Sequence, residues 1–315
     1  WRAVGFGSNV NEMFTTWIWG LVELGETDIA IIQRGLHHVE CPGKGPAGTD
    51  TGLPCIFQEM PHVCIFADDA HYQEHMISGG APKRDVTRML KMDERANRLR
   101  FRDKFLCSRQ GGLAMYRAAL ESLAKHVFQH LTPWLISDME EAQRRAGEGS
   151  PPEGPVVGLH VRHGDKLKDT GKYGFKPEKN YLKAAREYLK RASANNTISP
   201  PAVSPADVVS VFVASDDLAA VERVRRDVPQ YFPGVEVPGG VVYTSMVKPH
   251  GVAFLSSKMT YEQAVHLIND ILQLSRATVF VGTYSSNVSR LVSLLRTGVW
   301  GKPAASEMSM DQPLW

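Results

Sequence analysis

The sequence predicts two α/β domains, the second built on a parallel sheet, and three observations carry that expectation. Short apolar runs alternate with amphipathic stretches of helical period after residue 155, the pattern of βαβ units. Polar residues gather where those runs end and the next helix begins, the edge at which such sheets hold ligands. Between the two halves, EAQRRAGEGSPPEGP (141–155) has the composition of a boundary. The expected domains are therefore residues 1–150 and 151–315.

In chain order, GFGSNVNEMFTTWIWGLVELG (5–25) reads as a Gly turn entering a helix capped by Asn9 or Asn11, with Met13, Trp17, Leu21 and Leu24 on one face. DIAIIQ (28–33) is a strand, 41–54 a Gly/Pro-rich loop, and IFQEMPHVCIFADDA (56–70) short strands and turns. A charged segment, 84–104, is expected as solvated helix and 111–135 as one long helix. In the second half the strands are VVGLHV (156–161), VVSVFVASDD (208–217), GGVVYTS (239–245) and ATVFVGTYSS (277–286). The helices are YLKAAREYLKRA (181–192), LAAVERVRRDV (218–228), YEQAVHLINDILQLSR (261–276) and NVSRLVSLLRTG (287–298).

Bulk properties exclude several function classes. A chain of 315 residues with a formal charge of +2 exerts no general pull on nucleic acid or acidic membranes. No stretch reaches the roughly 18 apolar residues of a spanning helix, so no membrane contact is expected. The chain opens at Trp1 without an initiator Met; it is expected to be a piece of a longer parent, with targeting information and any membrane anchor outside it. Cys41, Cys55, Cys64 and Cys107 lack zinc spacing and are expected as disulfides or buried thiols. Asn195-Asn196-Thr197 is a glycosylation sequon, in keeping with a secretory-pathway home.

Four constellations carry chemistry. HVRHGDK packs His160, Arg162, His163, Asp165 and Lys166 behind a strand; Arg162 offers a planar fork to phosphate oxygens and Lys166 a point charge. A histidine phosphatase would use His163 in this RHG as its nucleophile, but the partner histidine it needs is not supplied by His250 (PHG) or His266 (VHLI). ASDD ends a strand with Asp216 and Asp217, suited to ribose hydroxyls, guanine nitrogens, an arginine or a metal, or simply to a helix N-cap. FVGTYSSNVSR sets Thr283, Ser285 and Ser286 at a helix N-terminus, where hydroxyls and open backbone N–H groups cradle an anion. The sequon formed by Asn287 and Ser289 is expected to be buried there. Asp270 lies on an otherwise apolar helix, either facing solvent beside a Leu267–Ile271–Leu274 stripe or reaching a guanine edge.

Taken together these motifs resemble the α-1,6-fucosyltransferase family, which includes the N-glycan core enzyme and the nodulation fucosyltransferases. The resemblance runs over about residues 155–298: H-V-R-x-x-D-K (His160 to Lys166), F-x-P before a helix (Phe175, Pro177, Tyr181), strand–S-D-D (Ser215 to Asp217), Asp270, and Tyr284 to Arg290. GFGSNVNEM is similar to the family's Gly-rich helix opening. The resemblance implies a GT-B fold with a Rossmann-like C-terminal domain binding GDP-fucose, an N-terminal domain on the acceptor side, and inverting transfer to a glycan without a metal or other cofactor. An α-1,6 linkage on an N-glycan core and a Golgi lumen setting are implied as well. Arg162 would hold the β-phosphate, His160 and Asp270 the guanine side, and Lys166, Asp165, Asp216, Asp217, Ser285 and Ser286 the rest of the donor. Bond cleavage needs a cation on the departing diphosphate, met by Arg162 and Lys166, and a base for the acceptor hydroxyl. Where the family carries a Glu this chain has LKDTG, so Asp169 is the candidate base; His163 stands for a second Arg, and Asn287 for a Gln. A protein O-fucosyltransferase-like enzyme and a non-catalytic nucleotide-binding module are the alternatives.

Overall fold

The computed structural model describes residues 10, 14, 29–32, 43, 56–57, 63–66, 112–145, 154–163, 176–194, 203–235, 241–243 and 260–311. Asp165, Lys166 and Asp169, the 84–104 segment, most of the 5–25 helix, the Asn195 sequon, and Cys41, Cys55 and Cys107 lie outside these residues. The chain divides into two compact units, Trp1–Ile136 with Phe254–Ala264, and Ser137–Ala253 with Val265–Trp315. The division falls inside a helix, ahead of the expected boundary at 150, and the first unit takes back a short later segment that no composition shift marks.

In the first unit, β1 (Ile29–Ile32) pairs in parallel with β2 (Val63–Phe66), Ile29 opposite Val63. The expected helix over 111–135 is two helices, α1 (Gly112–Gln129) and α2 (Pro133–Arg145). The sequence shows why. Pro133 lacks the N–H that a continuous helix would need, and it suits a first helical position. Thr132 caps the new start through its hydroxyl, 3.4 Å from the Leu135 amide, and its carbonyl accepts from the Ile136 amide at 3.1 Å. The Thr132 amide donates to the Ile56 carbonyl at 2.9 Å, and Phe57 meets Phe128 edge-on at 5.7 Å.

The second unit carries a five-stranded, wholly parallel sheet. Its strands are β3 (Val156–Val161), β4 (Ser210–Ser215), β5 (Val241–Tyr243), β6 (Val279–Gly282) and β7 (Glu307–Ser309), in spatial order β5-β4-β3-β6-β7. β3 is central, with β4 in register on one side (Leu159 opposite Val213) and β6 on the other (Leu159 opposite Val281). Strand order therefore reverses at β3/β6, and the crevice beyond their C-terminal ends is where a parallel sheet of this kind binds ligands. The apolar run of β4 is buried throughout and that of β3 from Val157 on, as a sheet covered on both faces requires.

Helices α3 (Glu178–Ala194), α4 (Leu218–Tyr231) and α6 (Asn287–Gly298) belong to this unit, as does α5 (Tyr261–Arg276) from Val265 on. Tyr181, Leu182, Ala185 and Leu189 of α3 and Val221, Val224 and Val228 of α4 share one core with Val157, Leu159, Val161, Val211 and Val213. These are the i, i+3/i+4 positions of each helix, so the amphipathic period places the sheet-facing side. The expected strand over 277–286 stops at Gly282, where pairing with β3 ends and a turn begins.

β7 has no counterpart in the sequence reading. Glu-Met-Ser is too short and polar to read as a strand. It pairs with β6 because Glu307 buries its carboxylate against Arg296, which is itself 1% exposed. That guanidinium also donates to the Ala277 carbonyl (2.6 Å), the Thr278 carbonyl (3.3 Å) and the Ser306 hydroxyl (2.7 Å). It ties α6 to both flanking chain segments.

Candidate active site

Strand β3 delivers His160 and Arg162 to the reversal point. His160 is buried, and its Nδ1 lies 2.6 Å from the Ser289 hydroxyl on α6. Burial first, then the Arg162 charge, outweigh the pull of Asp216 and Asp311 and lower its pKa to about 4. His160 is thus a neutral ring at physiological pH, a hydrogen-bonding side chain without charge.

Gly282 makes this contact available. It pairs opposite His160, and a Cβ there would fall 2.6 Å from the Ser289 hydroxyl and 2.7 Å from the Phe280 ring. Gly282→Ala is therefore expected to push Ser289 off His160 and to cost about 1–3 kcal/mol by overpacking. Urea unfolding checks it, and a loss below a few tenths of a kcal/mol would show that the site tolerates a methyl.

Arg162 faces Asp216, Nη1 to Oδ2 at 3.7 Å, and the Asp216 Oδ1 accepts the His163 amide at 2.8 Å. Asp216 Oδ2 is buried without a hydrogen-bond partner among the described residues, which leaves it able to accept from a ligand hydroxyl or ring N–H. The neighbouring Asp217 does different work. It is the N-cap of α4, with Oδ1 accepting the Ala219 amide at 3.0 Å, while Oδ2 meets the His163 ring (2.9 Å) and Arg223 (3.2 Å). Burial acts to raise its pKa, but hydrogen bonds from His163 and Ala219 and the charges of His163 and Arg223 outweigh it, so the net shift is downward. Asp217, expected as a direct donor contact, has both oxygens engaged within the chain.

The trio His163, Glu178 and Asp217 brings ligand atoms within 4.8 Å of one another. The cation they surround is a guanidinium: Arg223 reaches Glu178 at 2.6 Å and Asp217 at 3.2 Å.

On the other side of the crevice, Thr283, Ser285 and Ser286 enter α6 as expected, with Ser286 at the N-cap position and no side-chain cap bond. The Thr283 hydroxyl meets the Tyr181 hydroxyl at 2.6 Å. Burial pushes the Tyr181 phenol up to about 12, so it stays protonated. The Ser285 hydroxyl oxygen is buried and lacks a hydrogen-bond partner among the described residues.

The expectation of open backbone amides is corrected for the turn ahead of α6. Asp311, just past β7, accepts the Tyr284 amide at 2.8 Å and the Ser285 amide at 3.2 Å, and the Ser286 amide donates to the Thr283 carbonyl at 2.9 Å. A helix N-terminus attracts a carboxylate, and the chain supplies its own. At the start of α6 itself no side chain caps the helix, and the buried Ser285 hydroxyl stands beside it. The Tyr284 carbonyl is held in turn by Arg290 Nε at 2.8 Å.

Asp270 is 4% exposed on α5. The solvent-facing alternative is thereby overturned: the buried stripe runs through Ile268, Ile271 and Leu274, and Asp270 shares its burial with Asn269.

Comparison with known proteins adds the family. The model for "Alpha-(1,6)-fucosyltransferase N- and catalytic domains" matches residues 128–306, more than half of the chain. The chain belongs to the α-(1,6)-fucosyltransferase family, whose members are glycosyltransferases. It is 28% identical over 144 residues to an α-(1,6)-fucosyltransferase of Caenorhabditis elegans, covering 46% of this chain and 22% of the relative. Against one of Drosophila melanogaster it is 27% identical over 159 residues, covering 50% and 22%. The chain thus spans about a fifth of the length of these relatives. Among solved structures it is similar to NodZ α-1,6-fucosyltransferase co-crystallised with GDP, at 15% identity and TM-score 0.46 over 92% of this chain and 89% of that one. POFUT1 in complex with GDP-fucose follows at 11% identity and TM-score 0.35, with 96% and 79% covered.

Proposed function

We propose that the chain transfers fucose from GDP-fucose to a glycan acceptor, with inversion and without a metal, forming an α-1,6 linkage on an N-glycan core or a similar oligosaccharide. The secretory pathway, in the Golgi lumen, is the setting this activity implies. One observation carries the reading: a cation, Arg162, and a neutral buried imidazole, His160, leave the same strand at the sheet's reversal point. A nucleoside diphosphate needs both kinds of group, charge for the phosphates and uncharged hydrogen bonding for the base.

In this reading Arg162 and Lys166 take up the charge that grows on the diphosphate as the glycosidic bond breaks. Asp216 and Asp270 face the hydroxyls and N–H groups of the nucleoside, with Asp165 completing that side, and the Ser285 and Ser286 hydroxyls meet phosphate oxygens. Asp169 takes the proton of the attacking acceptor hydroxyl. Fucose leaves GDP with its anomeric carbon attacked from the opposite face, which inverts it.

The test is a transfer assay in EDTA with labelled GDP-fucose against N-glycan, chito-oligosaccharide and polysaccharide acceptors. Labelled glycan is expected with the wild-type chain and its loss with Asp169→Asn. GDP binding with no transfer to any acceptor would favour the non-catalytic module.

A further inference from the structure

The side chain of His163 is wholly buried, and each of its ring nitrogens faces an acceptor oxygen. Its Nδ1 lies 2.9 Å from the Asp217 carboxylate at the start of α4, and its Nε2 lies 3.2 Å from the Lys176 carbonyl just before α3. A neutral imidazole has one N–H and one lone pair, so it would point a lone pair at one of these oxygens. Only an imidazolium donates to both.

The charged groups around it fit that form. Glu178 of α3 stands 3.6 Å from Nδ1 and Asp217 closer still, while Asp216 accepts the His163 backbone amide. Two cations oppose it, Arg223 of α4, which shares Glu178 and Asp217, and Arg162, its chain neighbour. The Asp216 carboxylate held by the His163 amide is the one that faces Arg162.

We propose that His163 is a positioning residue carried as an imidazolium, which clamps the end of β3 to the starts of α3 and α4 and thereby sets Asp216 and Arg162 for the donor diphosphate. Its loss of a proton releases one of the two ring bonds, so diphosphate affinity falls as pH rises. A permanently charged arginine in this place would hold the site equally at all pH; histidine makes it conditional. The inference rests on the donor-site reading above.

Two measurements test it. Histidine ¹⁵N spectra of the free protein, recorded between about pH 5.5 and 8.5, should show both His163 ring nitrogens protonated at the acid end. Calorimetric GDP titrations over the same range, on wild type and His163→Arg, remove GDP's own phosphate titration by difference. Wild-type affinity is expected to fall about tenfold relative to the arginine variant, the factor carried by one charge-assisted hydrogen bond. A His163 ring that keeps a single N–H throughout overturns the proposal whether or not the variant folds. GDP affinity that follows the same pH course in both proteins overturns it while leaving the donor site standing. No GDP binding at any pH overturns the donor site itself.

Discussion

Arg162→Ala is expected to reduce fucose transfer by about 10²–10³-fold, the range for removing one group that stabilises developing charge, and to abolish the rise in melting temperature that GDP gives the wild type. The free protein should lose little. The Arg162 side chain is 27% exposed and stands 3.7 Å from Asp216, beyond direct hydrogen-bond reach, so the loss should stay below the roughly 3–5 kcal/mol of breaking a tight buried pair. The contrast between a large functional loss and a small structural one distinguishes a ligand-facing cation from a fold-holding one. Arg162→Lys should recover part of the binding, because a point charge replaces the fork but cannot engage two phosphate oxygens in one plane. Activity within a few-fold of wild type in Arg162→Ala would place the diphosphate elsewhere.

Arg296→Ala should do the reverse. Its guanidinium is 1% exposed and serves Glu307, Ser306 and two backbone carbonyls. Removing it strands the Glu307 carboxylate in the interior, where breaking one half of a buried pair costs about 3–5 kcal/mol. Chemical denaturation should register this loss. The double replacement Arg296→Met with Glu307→Leu should recover a good part of it, since neither charge is then left buried alone. A loss under about 1 kcal/mol for the single variant would mean that Glu307 finds another partner. β6 and α6 frame the Ser285–Ser286 turn, so a weakened β7 edge should also loosen the crevice from behind.

What could be read from the residues follows from how local the determining physics is. β3, β4 and β6 are continuous apolar runs because both sheet faces are covered, and their helices show one apolar stripe each, so a window of a dozen residues contains the signal. The placement of His160, Arg162, Asp216, Ser285 and Ser286 at one edge of the sheet was legible because the C-terminal edge of a parallel strand is recognisable from the strand alone. The contacts that complete the site are not local. Asp311 lies 26 residues from the Ser285 amide it accepts, and a short polar segment ending in Asp reads as a loop. Glu178, Arg223 and Ser289 each act through a partner on another element, and nothing near them in sequence names that partner. Asp217 was ambiguous for a different reason: an Asp before a helix has the same appearance whether it caps or binds. The geometry shows the cap, with Oδ1 on the Ala219 amide. Asp270 was ambiguous too, because one carboxylate on an apolar helix does not disclose which way the helix is rotated.

The proposal that Arg162 and the serine turn converge on a diphosphate is tested most directly by comparing GDP with guanosine in titration calorimetry, in EDTA. GDP should bind and guanosine should bind at least about a hundredfold more weakly, the loss expected when two charge-assisted phosphate contacts are absent. Equal affinity for the two, or no heat with GDP, would contradict the assignment of this crevice to a nucleoside diphosphate.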